Sequence, residues 1–259
     1  MPWAIGASIP NSAVTADPIA FIEPEWPAPP GVRALITTRI GGVSRGPYAG
    51  LNLGDHVGDD PTAVARNRAR LAAHLPGSPL WLRQVHGTAV ADASHERAGC
   101  EADASFTREP GQVLAALTAD CLPVLLAEET GSAVAIAHAG WRGLAAGVIE
   151  RVIAALGTEP RHLVAYLGPA IGPRAFEVGS DVRDAFLTDD SDAASAFVPT
   201  SPGKWFADLY ALARQRLQRI GTTRVYGGAF CTASDPARFF SHRRDRVTGR
   251  MASLLWFES

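Results

Sequence analysis

Apolar residues along this chain come in short runs. The stretches 80-LWLRQVHG-87, 88-TAVADA-93, 103-DASFT-107, 113-VLAALT-118, 122-LPVLLAE-128 and 133-AVAIAHA-139 follow one another closely, at a length and spacing that predict the strands of a sheet-rich body. Further strands are expected at 32-VRALITT-38, at 162-HLVAYLGPAIGP-173, which runs into a Gly/Pro turn, at 223-TRVYGGAF-230 and at 252-ASLLWFE-258. Helical periodicity appears over 61–75, where Val64, Ala65, Arg68, Leu71, Ala72 and Leu75 share a face, Asp60 stands ready to cap and Pro61 suits the first turn. Helices are also expected over 141–157, ending at Gly157, and near 179–187 and 205–220. Strands and helices mix without regular βαβ alternation, which predicts an α+β fold with sheets inside and helices outside.

The Pro-rich patch 24-PEWPAPPG-31 marks off residues 1–30, an irregular lead-in, from one domain spanning 31–259. Within that body the glycine-rich segment 39-RIGGVSRGPYAGLNLGDHVGDD-60 has almost no periodicity. Loops of that length are uncommon in compact domains and are often functional.

Composition narrows the class. With 259 residues, 47% hydrophobic and 19% charged, the chain is an ordinary soluble globular protein with enough length for a sizeable core. A net charge of -2, with only the short basic run 243-RRDR-246, gives no support for nucleic-acid binding. No apolar run reaches the roughly 18 residues of a membrane span, and the N-terminal stretch lacks the basic and apolar regions of a secretory signal. Three widely spaced cysteines do not form a disulfide framework. Reduced thiols in a cytoplasmic protein are expected.

The familiar catalytic signatures are missing: no P-loop, no G-x-G-x-x-G after a strand, no C-x-x-C, no H-E-x-x-H, no G-x-S-x-G and no zinc-deaminase motif. What remains is a set of soft ligands at strand ends. His86 closes 81-WLRQVHG-87, Cys121 opens 122-LPVLLAE-128, and His138 closes 133-AVAIAHAG-140. A sheet body can gather three strand ends. Two imidazoles and a thiolate suit zinc, and three protein ligands leave a fourth position free, as a catalytic site requires. The same residues, each taken alone, also read as satisfied core side chains.

A second feature follows His138 directly. In 138-HAGWRG-143 the helix expected from Trp141 offers backbone N–H groups to an anion, and Arg142 adds a two-donor fork. The alternative is that Gly140 and Gly143 serve close strand–helix packing, with Arg142 on the surface. Arg39, Ser44 and Asn52 in the glycine-rich loop, and Arg243 in the donor-dense tail 239-FFSHRRDRVTGR-250, are further candidates for holding substrate or phosphate. Asp103 and Asp120 are candidate acid or base carboxylates. Turn capping is the alternative for them.

The segments TTRIGGVSRGPYAGLNLGDHVGDD, LRQVHGT, EADASFT, TADCLPVLL, AIAHAGWRGLAAGVIE, YLGPAIGPRAFEVG and FFSHRRDRVTGRMASLLW occur in the order found in the YfiH-like proteins, which this chain resembles from about Arg33 to Trp256. That family has carried the names laccase-domain multicopper polyphenol oxidase, peptidoglycan editing factor and purine nucleoside phosphorylase. The resemblance places the family's metal ligands on His86, Cys121 and His138. It implies a layered α+β sandwich with central mixed sheets flanked by helices. It also implies phosphorolysis of adenosine, inosine and methylthioadenosine, and deamination of adenosine, so that a small nucleoside and phosphate are the expected partners. The chain departs from many members at Arg174 and Ala175, where they carry cysteine.

Three other readings stand beside a zinc purine enzyme. A copper polyphenol oxidase needs many histidines, and the chain has seven with no H-x-H pair. A hydrolase editing peptidoglycan precursors would use zinc, or Cys121 as nucleophile with His138 or His86 as base. A structural zinc module would need a fourth protein ligand, Cys100 or Cys231.

Overall fold

The computed structural model describes residues 17–258. Residues 1–16, and with them the first half of the expected lead-in, lie outside the described residues. In chain order the elements are β1 (Phe21–Ile22), β2 (Val32–Thr37), α1 (Pro61–Ala72), β3 (Val90–Asp92), β4 (Ala104–Thr107), β5 (Leu114–Thr118), β6 (Leu122–Glu128), β7 (Val134–Ala139), α2 (Trp141–Ala145), α3 (Val148–Leu156), β8 (Leu163–Leu167), β9 (Glu177–Gly179), α4 (Ser180–Leu187), β10 (Phe197–Ser201), β11 (Lys204–Ala207), α5 (Leu209–Arg219), β12 (Arg224–Gly227), α6 (His242–Asp245) and β13 (Met251–Phe257).

Two sheets stack. One is antiparallel with strand order β1-β2-β13-β5; the other is six-stranded and mixed, in the order β12-β8-β6-β7-β4-β3, with parallel pairing only at its two edges. The period of two along β6 and β7 sorts their side chains between layers. Leu125 and Ala127 of β6, with Val134 and Ile136 of β7, pack with Ile36, Leu114, Ala116 and Leu255 in the space between the sheets. Leu122, Val124, Leu126, Ala135 and Ala137 face the other way, onto Val148, Ile149, Val152 and Ile153 of α3 and Leu212 and Leu217 of α5. Both faces are therefore buried, and each fully buried leucine contributes roughly 1.5–3 kcal/mol. The outer face of the four-stranded sheet is covered by Leu51 and Leu53 of the glycine-rich loop and Leu71 of α1. The result is the layered α+β sandwich, with a small third sheet, β10-β11-β9, beside α4.

Local chemistry explains where the elements start and stop. Asp60 accepts a hydrogen bond from the Thr62 amide at 2.9 Å, and Pro61 occupies the first turn of α1. The helix expected over 141–157 is two helices, because Gly147 adopts φ +91 and turns the chain. The restart lets α3 lay Val148, Ile149, Val152 and Ile153 on the sheet. The helix expected from 205 starts at Leu209 instead. Residues Lys204–Ala207 pair with β10 and β9, and Asp208 caps the helix by accepting from Ala211 N. The strand expected over 80–87 makes only single bridges, Leu80 to Leu114 and Arg83 to Glu101. Beyond them the Gln84 side chain stands in for a strand, its amide bonding both the N–H and the C=O of Leu117 at 2.7 and 2.8 Å. Among the described residues no helix is long and apolar enough to cross a membrane.

Candidate metal centre and its cavity

Strand register brings one end of the stacked sheets together. Pro123 lies opposite His138, and Ala104 opposite Ala137, so the start of β6, the end of β7 and the start of β4 share an edge. His138 has the parity of Val134 and Ile136, and so points between the sheets, where it is buried. Cys121 stands one residue before β6, and His86 ends the extended segment stitched down by Gln84. The candidate ligand atoms of His86, Cys121 and His138 all lie within 4.8 Å of one another. Cys121 Sγ is 3.7 Å from His86 Nε2, and the two imidazoles meet edge to face with ring centroids 4.8 Å apart. Among the described residues this is the one cluster of three or more such side chains.

Asp103 organises two of the three ligands. One of its oxygens accepts from His138 Nδ1 at 2.8 Å and from the His86 amide at 2.9 Å. The other accepts from the amides of Gly87 at 2.7 Å and Val85 at 3.2 Å. The carboxylate thus fixes the His138 ring, leaves its Nε2 for a ligand role, and holds the turn in which His86 takes φ +62. His86, Asp120 at φ +95 and Arg246 at φ +63 are the non-glycine residues with positive φ among the described residues. Each costs on the order of 1–3 kcal/mol, and such strain gathers at working sites.

Electrostatics follow from this packing. Burial penalises the Cys121 thiolate, but His138 and then His86 outweigh it and bring the thiol well below its ordinary range. Burial likewise opposes a charged His138, yet the neighbouring thiolate and Asp103 raise its pKa. The two shifts run in the directions that favour a thiolate at Cys121 and a charged imidazole at His138. Asp103, despite burial, is held below the usual carboxylate range by His138 and the amides it accepts from.

The run 138-HAGWRG-143 owes its glycines to this corner. A Cβ at Gly140 would lie 2.7 Å from the His86 ring and 3.1 Å from Cys121 Sγ, and one at Gly143 would lie 2.8 Å from the Gly87 carbonyl. Only glycine lets the strand–helix turn pass so close to the ligands. Arg142 is exposed and stacks on Trp141, 4.3 Å from its ring.

The ligands open onto a cavity of about 490 Å³. Leu117, Ile171 and Leu209 supply apolar wall, Trp141 and Phe176 supply aromatic faces, and Arg142, Arg243 and Arg250 supply positive charge. Asp120 also borders it, but both of its oxygens are engaged, by Thr232 Oγ1 and by the Arg243 amide, each at 2.6 Å. Asp103 lies behind the histidines and not on the cavity wall.

The remaining sequence candidates sit elsewhere. Arg39 donates to the carbonyls of Pro236 and Ala49 and stacks on Phe240. Ser44 donates to Asp59 at 2.6 Å. Buried Asn52 bonds Gly54, Asp59 and the Arg250 amide. None of the three lines the cavity. Sequence reasoning passed over Arg250, which Asn52 holds in place. Its signal was the arginine density of the tail, from which Arg243 alone was singled out.

The chain matches the family described as multi-copper polyphenol oxidoreductase laccase over residues 33–258. It is 55% identical, over 92% of its length and 99% of the relative's, to a Pseudomonas aeruginosa protein named purine nucleoside phosphorylase. Identity to the Escherichia coli protein named purine nucleoside phosphorylase YfiH is 52%, over 91% of this chain and 98% of that one. Among solved structures, a Neisseria meningitidis protein superposes with a TM-score of 0.89 at 52% identity, covering 92% of this chain and 99% of that one. YlmD from Geobacillus stearothermophilus superposes at 0.81 with 34% identity, covering 88% and 93%. The match over residues 33–258 contains His86, Cys121 and His138, and with these identities the chain belongs to the multi-copper polyphenol oxidoreductase laccase family, that of the YfiH-like proteins.

Proposed function

We propose that this chain is a zinc-dependent purine nucleoside phosphorylase acting on inosine, adenosine and methylthioadenosine, and that the same cavity deaminates adenosine. The observation that carries the reading is a three-ligand His–Cys–His cluster opening onto a cavity edged by arginines. Relatives named purine nucleoside phosphorylase support the phosphorolysis part of the reading.

The donor set fits zinc. Zn–S and Zn–N bonds of about 2.3 and 2.0–2.1 Å at a tetrahedral angle give an S···N edge of about 3.6 Å. The Cys121–His86 separation is 3.7 Å. His86, Cys121 and the free Nε2 of His138 would hold the ion, and copper is the alternative occupant. A zinc ion held there would supply Lewis-acid chemistry.

The chain's own residues do the rest. In phosphorolysis an oxygen of dihydrogen phosphate bonds to C1′ as the bond from C1′ to purine nitrogen breaks, and the proton that the phosphate gives up leaves on the purine. Arg243, Arg142 and Arg250 attract and orient the phosphate. Planar, doubly donating guanidinium groups match its oxygens. Trp141 and Phe176 give faces for the flat base and the sugar, and Leu117, Ile171 and Leu209 exclude water from the reacting bond. In deamination water replaces phosphate and C6 replaces C1′, releasing ammonia.

Purified zinc-loaded protein incubated with inosine tests this. Hypoxanthine should appear only when phosphate is present, and adenosine should yield inosine. Neither product would overturn the reading. The three free thiols suit a reducing compartment, and we place the enzyme in the cytoplasm.

One observation favours a second reading. Asp103, His138 and Cys121 also line up as carboxylate, imidazole and thiolate, the set used by cysteine hydrolases. On this reading the substrate is a peptidoglycan precursor. Iodoacetamide labelling of Cys121 in zinc-loaded protein would support it, whereas a ligated thiolate stays protected.

A further inference from the structure

We propose that Asp120 is a positioning residue that sets the phosphate-binding arginine, Arg243, in register with the thiolate ligand Cys121. The inference rests on the reading of Arg243 as a phosphate ligand.

Asp120 is joined to Cys121 by one peptide bond, so the two Cα atoms are fixed about 3.8 Å apart. Its φ of +95 is a conformation that side-chain-bearing residues rarely adopt and that glycine takes freely. A carboxylate at such a position calls for a use. Its two oxygens are engaged by groups from distant parts of the chain: Thr232 Oγ1 at 2.6 Å and the Arg243 amide at 2.6 Å. Thr232 is fully buried, and its own amide donates to Ala170 O. The Asp120 carbonyl accepts from the Ile171 amide at 2.9 Å. One residue therefore ties the metal corner to the loop after β8, to the turn at 231–234 and to the segment bearing Arg243.

Arg243 is held at both ends. Asp120 grips its backbone. Its Nη1 donates to the Glu177 carbonyl at 2.7 Å, and the guanidinium lies 5.2 Å from the Phe176 ring. Among the described residues its Nε and Nη2 have no partner, and Arg243 lines the cavity. The geometry is that of a fork held ready for an anion, at a distance from Cys121 set through Asp120.

The test is calorimetric titration of inorganic phosphate into zinc-loaded full-length protein, alongside phosphorolysis kinetics. Asp120→Gly removes the carboxylate while suiting the backbone. It should keep one zinc per chain and its fold, yet bind phosphate at least about tenfold more weakly, because a displaced fork loses a charge-assisted bond. KM for phosphate should rise with it, while KM for inosine changes by less than about threefold. Asp120→Asn, which keeps one acceptor oxygen, should recover part of the loss. The double variant Asp120→Gly/Arg243→Ala should bind no more weakly than Arg243→Ala alone, since both act through one contact.

Unchanged phosphate affinity in Asp120→Gly, or losses that add to those of Arg243→Ala, would overturn the proposal. A wild-type protein that takes up no phosphate would remove the Arg243 reading and this inference together. Wild-type uptake with an indifferent Asp120→Gly removes this inference alone. Should Asp120→Gly lose zinc or unfold, Thr232→Val frees one carboxylate oxygen and preserves shape. It should keep zinc and weaken phosphate about threefold, and no change there would count against the proposal.

Discussion

The metal corner and the glycine-rich loop over 39–60 look alike in composition: both pack polar side chains among glycines. They differ in where the polar atoms are spent. In the loop, Asn67 from α1 accepts from Val43 N and donates to Ser44 Oγ, Gly50 O and Asn52 O. Ser44 and Asn52 in turn share Asp59. The side-chain donors of Asn67, Ser44 and Asn52 all answer acceptors within the same loop and helix, and the network's product is a shaped layer over the outer sheet. In the metal corner, Asp103 absorbs the backbone amides and one imidazole nitrogen, and that leaves a thiolate and two ring nitrogens aimed at a common point. Polar density marks both regions. Unspent ligand atoms mark the functional one.

The largest expected effect tests the corner. Cys121→Ala should lose bound zinc and abolish phosphorolysis, well beyond the roughly 10–100-fold cost of removing a supporting partner. Zinc retained at one equivalent would show that the ion sits elsewhere. Asp103→Ala comes next. Zinc affinity, read by chelator competition, should fall by about 10–100-fold because both histidines lose their anchor. The same variant should change the acid limb of the stability curve. Asp103 is held below the ordinary carboxylate range, so its stabilisation is present above that range and disappears as pH drops through its lowered value. Removing it should make unfolding less steeply acid-dependent there.

In the loop the expected effects are on stability alone. Asn67→Ala leaves several buried groups without partners and should cost about 2–4 kcal/mol in denaturant unfolding, with zinc content and KM values unchanged. The smallest change is expected from Arg39→Ala, at about 1 kcal/mol or less, through loss of its stacking on Phe240. A selective rise in KM for phosphate in Arg39→Ala would erase the contrast between the two regions.

Protonation sharpens the comparison further. His138 carries a raised pKa beside the Cys121 thiolate, so a divalent ion must displace a proton from its ring. Zinc uptake near neutral pH should release protons, and affinity should climb with pH until His138 is neutral in the metal-free protein. Affinity independent of pH across that span would contradict the raised pKa of His138.

Much of the architecture is legible in local sequence. β5, β6 and β7 are short, mostly apolar runs, and α1 announces its start with Asp60 and Pro61. What eluded local reading depends on context. Gly147 breaks a helix only because the chain must turn α3 onto the sheet. Residues Lys204–Ala207 become a strand because β9 and β10 are there to pair with them. The metal ligands stood at strand ends, but sequence spacing carries no sign of their convergence. That is a product of β6–β7 and β4–β7 register. Asp103 and Asp120 were candidates for proton transfer, and nothing local shows the hydrogen bonds that their oxygens accept from other segments of the chain. Arg250 was hidden for the same reason, its place set by Asn52 from the far side of the chain.

The central claim is a zinc ion held by two imidazoles and one thiolate with one position left for substrate. Zinc-edge X-ray absorption on the purified protein tests it most directly. The account predicts one sulfur at about 2.3 Å and a shell of light atoms near 2.0–2.1 Å, of which one exchanges on adding nucleoside or phosphate. A spectrum without sulfur, or a shell of four protein donors that no ligand perturbs, would contradict it.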